Sequence, residues 1–407
     1  MKALQFNVTV PRFIAAKALA AFLGRRVFYQ GPLRTVRLAE IPEPDPPGAD
    51  WVKIRTLACG FCGSDLNLIC LHDSPTASPF TSFPCVIGHE VVGEVVEAGP
   101  EAGEFAPGDR VAVNPTLSCQ PRGLSPLCPS CRAGRPGCCE NFAEGTLPPG
   151  LFIGICRGLN GGFAPYLTAH ASQLHRVPGE LSLEAAVMTE PAAVAVQTVI
   201  DNPPATGEHV MVIGCGVIGN LIVQTLRAFA PPCHIAVIEP SPFAADLALD
   251  CGADEVIPVA DVFHRTSHST GARIYKPMLG KPIAMGGFHR IYDTVGRGAT
   301  LNLSLRLLTA MGTLSVVGIG RDVKLDLTPT WLKLQTVRGV YAYGFTQWDG
   351  RQRHVFDIAL EMIRRDEIRA ADLVTHRFAL EDYRRMIAVN IHKNRHRAIK
   401  TMVVFAE

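Results

Sequence analysis

Residues 209–229 read HVMVIGCGVIGNLIVQTLRAF: an apolar run at 209–213, a glycine turn at 214–219, and a helical stretch at 220–229, followed by a second apolar run at 235–238. That succession is the opening of a parallel α/β sheet. Glycines let the chain turn tightly and let its amides approach a pyrophosphate, and the unpaired N–H groups of the following helix add partial positive charge. A glycine turn alone need only pack a strand on a helix. Here Glu239 closes the second run, twenty residues after Gly219, where an acid can accept from both hydroxyls of a cofactor ribose. Gly214, Gly216, Val217, Ile218, Gly219 and Glu239 are therefore the expected dinucleotide-binding residues. No Lys or Arg occurs at 240–263, so nothing local would neutralise a 2′-phosphate, and NAD is expected over NADP.

Working outward, further strands are expected at 255–259, 289–294 and 313–317, with a helix between the last two. The Gly-, Pro- and Ser-containing stretch 264–287 reads as an insertion or long loop. Upstream, residues 30–185 are strand-like and rich in turn residues, as at 51–57 and 91–97, which indicates a mostly β domain. From Tyr343 come two polar helices and a closing strand, 401–405, assigned back to that first domain. The expected fold class is α/β. A mostly β catalytic domain spans 1–188, a doubly wound parallel-sheet domain spans 189–342, and 343–407 returns to the first.

With 407 residues, 47% of them hydrophobic, the chain can fill two cores. Lys plus Arg number 39 against 37 acids, a net charge of +2 that leaves no footprint for nucleic acid and points to a small-molecule partner. Thirteen cysteines, several crowded into 119–139, in a chain without a clear export signal indicate metal rather than disulfides and a cytoplasmic protein. The apolar segment 13–23 reads as a helix opened by Pro11 and closed by Gly24, too short to cross a bilayer. Packing on its own protein or on a second subunit is the expectation, with a membrane-surface or lid helix as the alternative.

Three short motifs precede the glycine turn: Cys62-Gly63-Ser64-Asp65, Gly88-His89-Glu90, and Thr189-Glu190-Pro191. A thiolate, an imidazole and carboxylates suit zinc, and a catalytic site keeps one position open. Each residue alone would more often be a buried thiol, a core histidine or a helix-start acid; their order ahead of a dinucleotide turn makes the set informative.

In these motifs the chain resembles the zinc-containing medium-chain dehydrogenases, in the style of their polyol, threonine and glucose dehydrogenase branch, from Gln30 to the end. The resemblance implies a GroES-like catalytic domain, a Rossmann domain, a homodimer or homotetramer, and hydride transfer between an alcohol and NAD with zinc as Lewis acid. It implies Cys62 and His89 as ligands, Glu90 and Glu190 as ligands or near neighbours, Asp65 orienting His89, and Ser64 touching the substrate hydroxyl. Cys128, Cys131 and Cys139 resemble the last three ligands of the family's structural zinc lobe, while the family's first cysteine is here Ser125. Cys119 is the expected replacement and Cys138 its rival. Where many relatives end a proton relay on a histidine five residues after the zinc cysteine, this chain has Asn67, leaving His72, water, or Glu90 with Glu190. A metal-free reductase or a non-catalytic binding protein on the same fold is the alternative, against which the Cys62, His89, Glu90 set argues.

Overall fold

The computed structural model describes residues 1–405 and divides into two units, so Ala406 and Glu407, at the end of the segment assigned to the first domain, lie outside the described residues. The first unit comprises Met1–Glu190, Ala342–Arg364 and the chain from Ala370 onward. The second comprises Pro191–Tyr341 and Arg365–Arg369, a five-residue return that the sequence had placed with the first domain.

In the first unit, Trp51–Phe61 is the organising strand. Its alternate residues Val52, Ile54 and Ala58 are buried, and it pairs antiparallel with Glu90–Ala98, Tyr166–His170 and Lys400–Val404. The sheet runs Val374–Phe378, Lys400–Val404, Trp51–Phe61, Glu90–Ala98, Arg110–Val113, Leu174–Arg176. A smaller sheet pairs Lys2–Phe6 with Val36–Glu40 and Cys85–Val86. Between its first two strands the chain makes an excursion through helix Val10–Leu23, with Pro11 in its first turn and Gly24 at φ +71° ending it. The two helices expected after Tyr343 are Val355–Arg364 and Tyr383–Ile391; the first is amphipathic rather than polar and follows a hairpin, Phe345–Trp348 with Arg351–His354, that the sequence did not announce.

In the second unit six strands are all parallel, in the order Glu255–Val256, His234–Ile238, His209–Ile213, Phe288–Asp293, Leu308–Val316, Thr336–Gly339. Numbered along the chain within this sheet alone, the order is 3-2-1-4-5-6, with its switch point between His209–Ile213 and Phe288–Asp293. These strands read as near-continuous apolar runs because helices cover both faces of such a sheet. The stretch 264–287 is not a loop. It holds most of helix Val262–Thr270, stopped by Gly271 in the left-handed region, and a hairpin of Arg273–Tyr275 with Ile283–Met285. His, Thr and Ser at unremarkable helical spacing carried no periodic signal, and the helix owes its place to Val262 and Thr266, which are buried.

The glycine turn is dictated by close approach. A Cβ on Gly219 would overlap the carbonyl oxygen of Gly214, and Gly214 itself sits at φ +88°. Gly216, by contrast, has open space where a side chain would go. Gly219→Ala should therefore destabilise the second unit by about 1–3 kcal/mol, read as a lowered thermal unfolding midpoint, whereas Gly216→Ala should unfold with the parent.

Candidate metal centre and cofactor turn

Cys62 ends the long first-unit strand and caps a short helix, Gly63–Ile69, in whose first turn Asp65 accepts a hydrogen bond from the Cys62 amide at 2.9 Å. His89 and Glu90 lie at the start of the adjoining strand. Cys62 Sγ, a ring nitrogen of His89 and a carboxylate oxygen of Glu90 all lie within 4.8 Å of one another. Asp65 Oδ1 lies 3.5 Å from His89 Nδ1, and Ser64 Oγ lies 3.4 Å from His89 Nε2. The ring of Phe152 covers the imidazole, centroids 4.9 Å apart. Glu190 is not in this tight group. Its Oε1 accepts from the Tyr343 hydroxyl at 2.9 Å, and it feels His89, Glu90 and Lys400 electrostatically.

The sequence missed Lys400. Its ammonium, fully buried, pairs with Glu90 Oε2. Both side chains lie over Gly60, which pairs with Glu90 on one flank and Met402 on the other; a Cβ there would overlap the Glu90 carboxylate. The only hint was a lysine opening an otherwise apolar closing strand, with its partner far off in the chain. Asn67 is on the short helix and His72 lies just beyond it, half-buried, its amide bonded to the Asn67 carbonyl at 2.8 Å.

The electrostatics show what this pocket lacks. Burial lowers the His89 pKa, but Asp65 and Cys62 outweigh it and hold the ring well above its usual value. Burial and the neighbouring Glu90 push the Glu190 carboxyl up, against the opposing pull of His89, Tyr343 and Lys400. A half-buried thiol, a buried imidazole whose Nδ1 faces Asp65, and the Glu90 carboxylate thus converge, with Lys400 on the far side of Glu90. That donor set fits a divalent cation of the zinc type.

The second cluster lies in a surface lobe. Cys119, Cys128, Cys131 and Cys139 bring their sulfurs within 4.8 Å of one another, and Cys138 is exposed outside the group. The Cys119 and Cys139 sulfurs are 3.6 Å apart, those of Cys128 and Cys139 3.9 Å. A tetrahedron with zinc–sulfur bonds of about 2.3 Å has edges of roughly 3.8 Å, whereas a disulfide needs about 2.0 Å. Burial raises the Cys131 and Cys139 thiols, while backbone amides at Glu140 and Cys131 and neighbouring sulfurs overcome it at Cys128 and lower that pKa. The lobe is held by Arg122, fully buried, whose guanidinium donates to the carbonyls of Leu117, Glu144, Leu147, Pro148 and Gly150.

At the glycine turn, Glu239 Oε2 accepts from the Cys215 amide and its Oε1 from the Ser241 amide, each at 2.8 Å. Asn220 donates to the carbonyls of Cys215 and Gly216, fixing the first helical turn. The half-buried Glu239 keeps lone pairs on both oxygens for a ligand. The vacant side-chain position of Gly216 and the start of helix Val217–Phe229 make a cradle that a pyrophosphate fits. Among the described residues, no helix is long and apolar enough to cross a membrane.

Residues 48–179 match the family model of the alcohol dehydrogenase GroES-like domain, and residues 217–361 that of the zinc-binding dehydrogenase. The chain is 29% identical to (R,R)-butanediol dehydrogenase of Bacillus subtilis over 86% of this chain and 91% of that protein. To sorbitol dehydrogenase of Arabidopsis thaliana it is 29% identical, over 81% and 82%. A zinc-binding dehydrogenase from Sinorhizobium meliloti, solved bound to NADP, superposes with a TM-score of 0.70 at 26% identity, covering 91% of this chain and 95% of that one.

Metal analysis should find two zincs per chain, one for each cluster; Cys119→Ser should lower the content toward one, and Cys138→Ser should leave it unchanged.

Proposed function

Because this chain belongs to the zinc-containing medium-chain dehydrogenases, we propose that it transfers hydride between a secondary hydroxyl of a polyol or related small alcohol and NAD. The observation that carries the reading is the convergence of Cys62, His89 and Glu90 ligand atoms within 4.8 Å. The family's hydroxyl and dinucleotide turn accompany it in Ser64 and the 214–219 segment. We assign Cys62, His89 and Glu90 to the catalytic zinc, with Glu190 beside them as ligand or water partner, and Cys119, Cys128, Cys131 and Cys139 to the structural one. A zinc bound by the first set supplies Lewis acidity that makes an alcohol hydroxyl acidic near neutral pH.

The remaining work falls to this chain's own residues. Asp65 holds the Cys62 amide and stands behind His89, fixing both side chains before substrate arrives. Ser64, a short hydroxyl beside the imidazole, relays the substrate proton, accepting it as it hands its own on to His72, to water, or to Glu90 with Glu190. Phe152 covers one face of the ring and keeps water from it. Lys400 neutralises Glu90, so that this acid can sit near a cation without adding a full uncompensated charge. Substitution of Cys62 by Ala should abolish alcohol oxidation while NADH binding, followed by cofactor fluorescence, stays within about twofold of the parent; undiminished turnover would overturn the metal assignment.

The choice of NAD rests on Glu239. Its carboxylate already faces the turn, and a 2′-phosphate brought beside it would meet like charge with no Lys or Arg at 240–263 to compensate. Steady-state kinetics should give a kcat/KM for NAD at least about a hundredfold above that for NADP, a preference of about 2.7 kcal/mol. Comparable values for the two cofactors would sink the assignment.

A further inference from the structure

Helix Val10–Leu23 is built inside out. Its inward face carries Arg12 and Lys17 around the small Ala16: Arg12 donates to the Arg34 carbonyl, and Lys17 Nζ donates to the Leu71 carbonyl at 3.1 Å. Its large apolar residues face out, with Val10 74%, Ile14 62%, Phe22 86% and Leu23 63% exposed. A helix that folds onto its own domain puts such residues inside and its cations in water. Here the cations secure the helix by binding carbonyls, and among the described residues Val10, Ile14, Phe22 and Leu23 stay largely exposed. Large apolar side chains exposed at both ends of one short helix mark an interaction site.

The charge around it says what the partner is. Residues 1–39 contain seven Lys and Arg and not one Asp or Glu; Lys2 pairs with Glu381 and Arg12 and Lys17 turn inward, which leaves Arg25 and Arg26 as the cations beside the exposed end of the helix. Arg25 and Arg26, exposed, follow Phe22 and Leu23 after Gly24, and Arg26 also reaches the Tyr29 hydroxyl. We propose that this helix is a membrane-surface element that docks the protein on anionic lipid, its apolar side chains entering the acyl boundary and Arg25 and Arg26 meeting the headgroups. Fourteen residues make a helix of about 21 Å, against a hydrocarbon core of about 30 Å, so it lies on the bilayer and does not cross it. A second copy of this chain is the poorer partner, because the same segment, residues 1–39, would bring no acid to meet Arg25 and Arg26.

The test is co-sedimentation of the full chain with vesicles of phosphatidylcholine, with and without phosphatidylserine. Binding is expected only to the anionic vesicles and should weaken as salt rises. Replacing Phe22 and Leu23 by Glu should weaken binding more than about tenfold. Arg25→Gln with Arg26→Gln should cost roughly fivefold per cation removed. Both variants should keep the unfolding midpoint and alcohol-oxidising rate of the parent, since none of the four residues belongs to the catalytic or cofactor machinery. The proposal is overturned if the parent ignores anionic vesicles at low salt, or if the Phe22/Leu23 variant binds as tightly as the parent. It also fails if light scattering shows a parent assembly that this variant splits, because the face would then be a contact between copies.

Discussion

Glu90 and Lys400 meet over Gly60 in a core that offers neither of them solvent. Burying a carboxylate and an ammonium costs more than their attraction commonly returns, and stranding either one costs about 3–5 kcal/mol. Such a pair is poor evidence of stability for its own sake. It fixes position: the strand bearing His89 and Glu90 is tied, through a glycine gap in the central strand, to the last strand of the chain. The C-terminal segment thereby lines the candidate metal site through Lys400. Lys393, half-buried and donating to the Ile399 carbonyl, adds a second cation whose field reaches Cys62 and Glu90.

The lobe solves a similar problem with the opposite sign. Four sulfurs face one another in a segment with little regular structure, and beneath them Arg122 uses all five of its N–H donors on backbone carbonyls. The rigid fork of a guanidinium suits this task, and a lysine could reach at most three of those acceptors. Cation and thiols together substitute for the hydrophobic core that so small a segment cannot assemble. In the parallel-sheet unit the constraint is steric instead. Helix and strand approach until only hydrogen fits at Gly219, and Glu239 spends one lone pair of each oxygen holding the turn it also serves.

Much of this was legible in local patterns. The run 209–213, the glycines that follow it and Glu239 are a contiguous statement, because a dinucleotide turn is made by residues adjacent in the chain. The lobe was nearly so, since Cys128, Cys131 and Cys139 lie within one short segment. The choice between Cys119 and Cys138 was not: spacing permits either, and only the folded chain brings Cys119 to the other three sulfurs and leaves Cys138 exposed at a short helical turn, Pro136–Cys138. The helix within 264–287 escaped for a different reason, its two buried residues being too few to print a period on the sequence.

The sequence by itself determined the two kinds of sheet and the glycine turn, and it singled out the residue types of the candidate metal set, because each is carried by short motifs in which backbone geometry acts directly. It could not determine that Glu90 answers to Lys400, that Tyr343 holds Glu190, or that Arg122 threads five carbonyls, because each contact joins segments distant along the chain. Nor could it say which way helix Val10–Leu23 faces: a stretch apolar nearly all round has no side that composition alone marks as inner. That orientation came from two cations finding carbonyl partners at Arg34 and Leu71, contacts that exist only once the tertiary structure has brought those loops alongside.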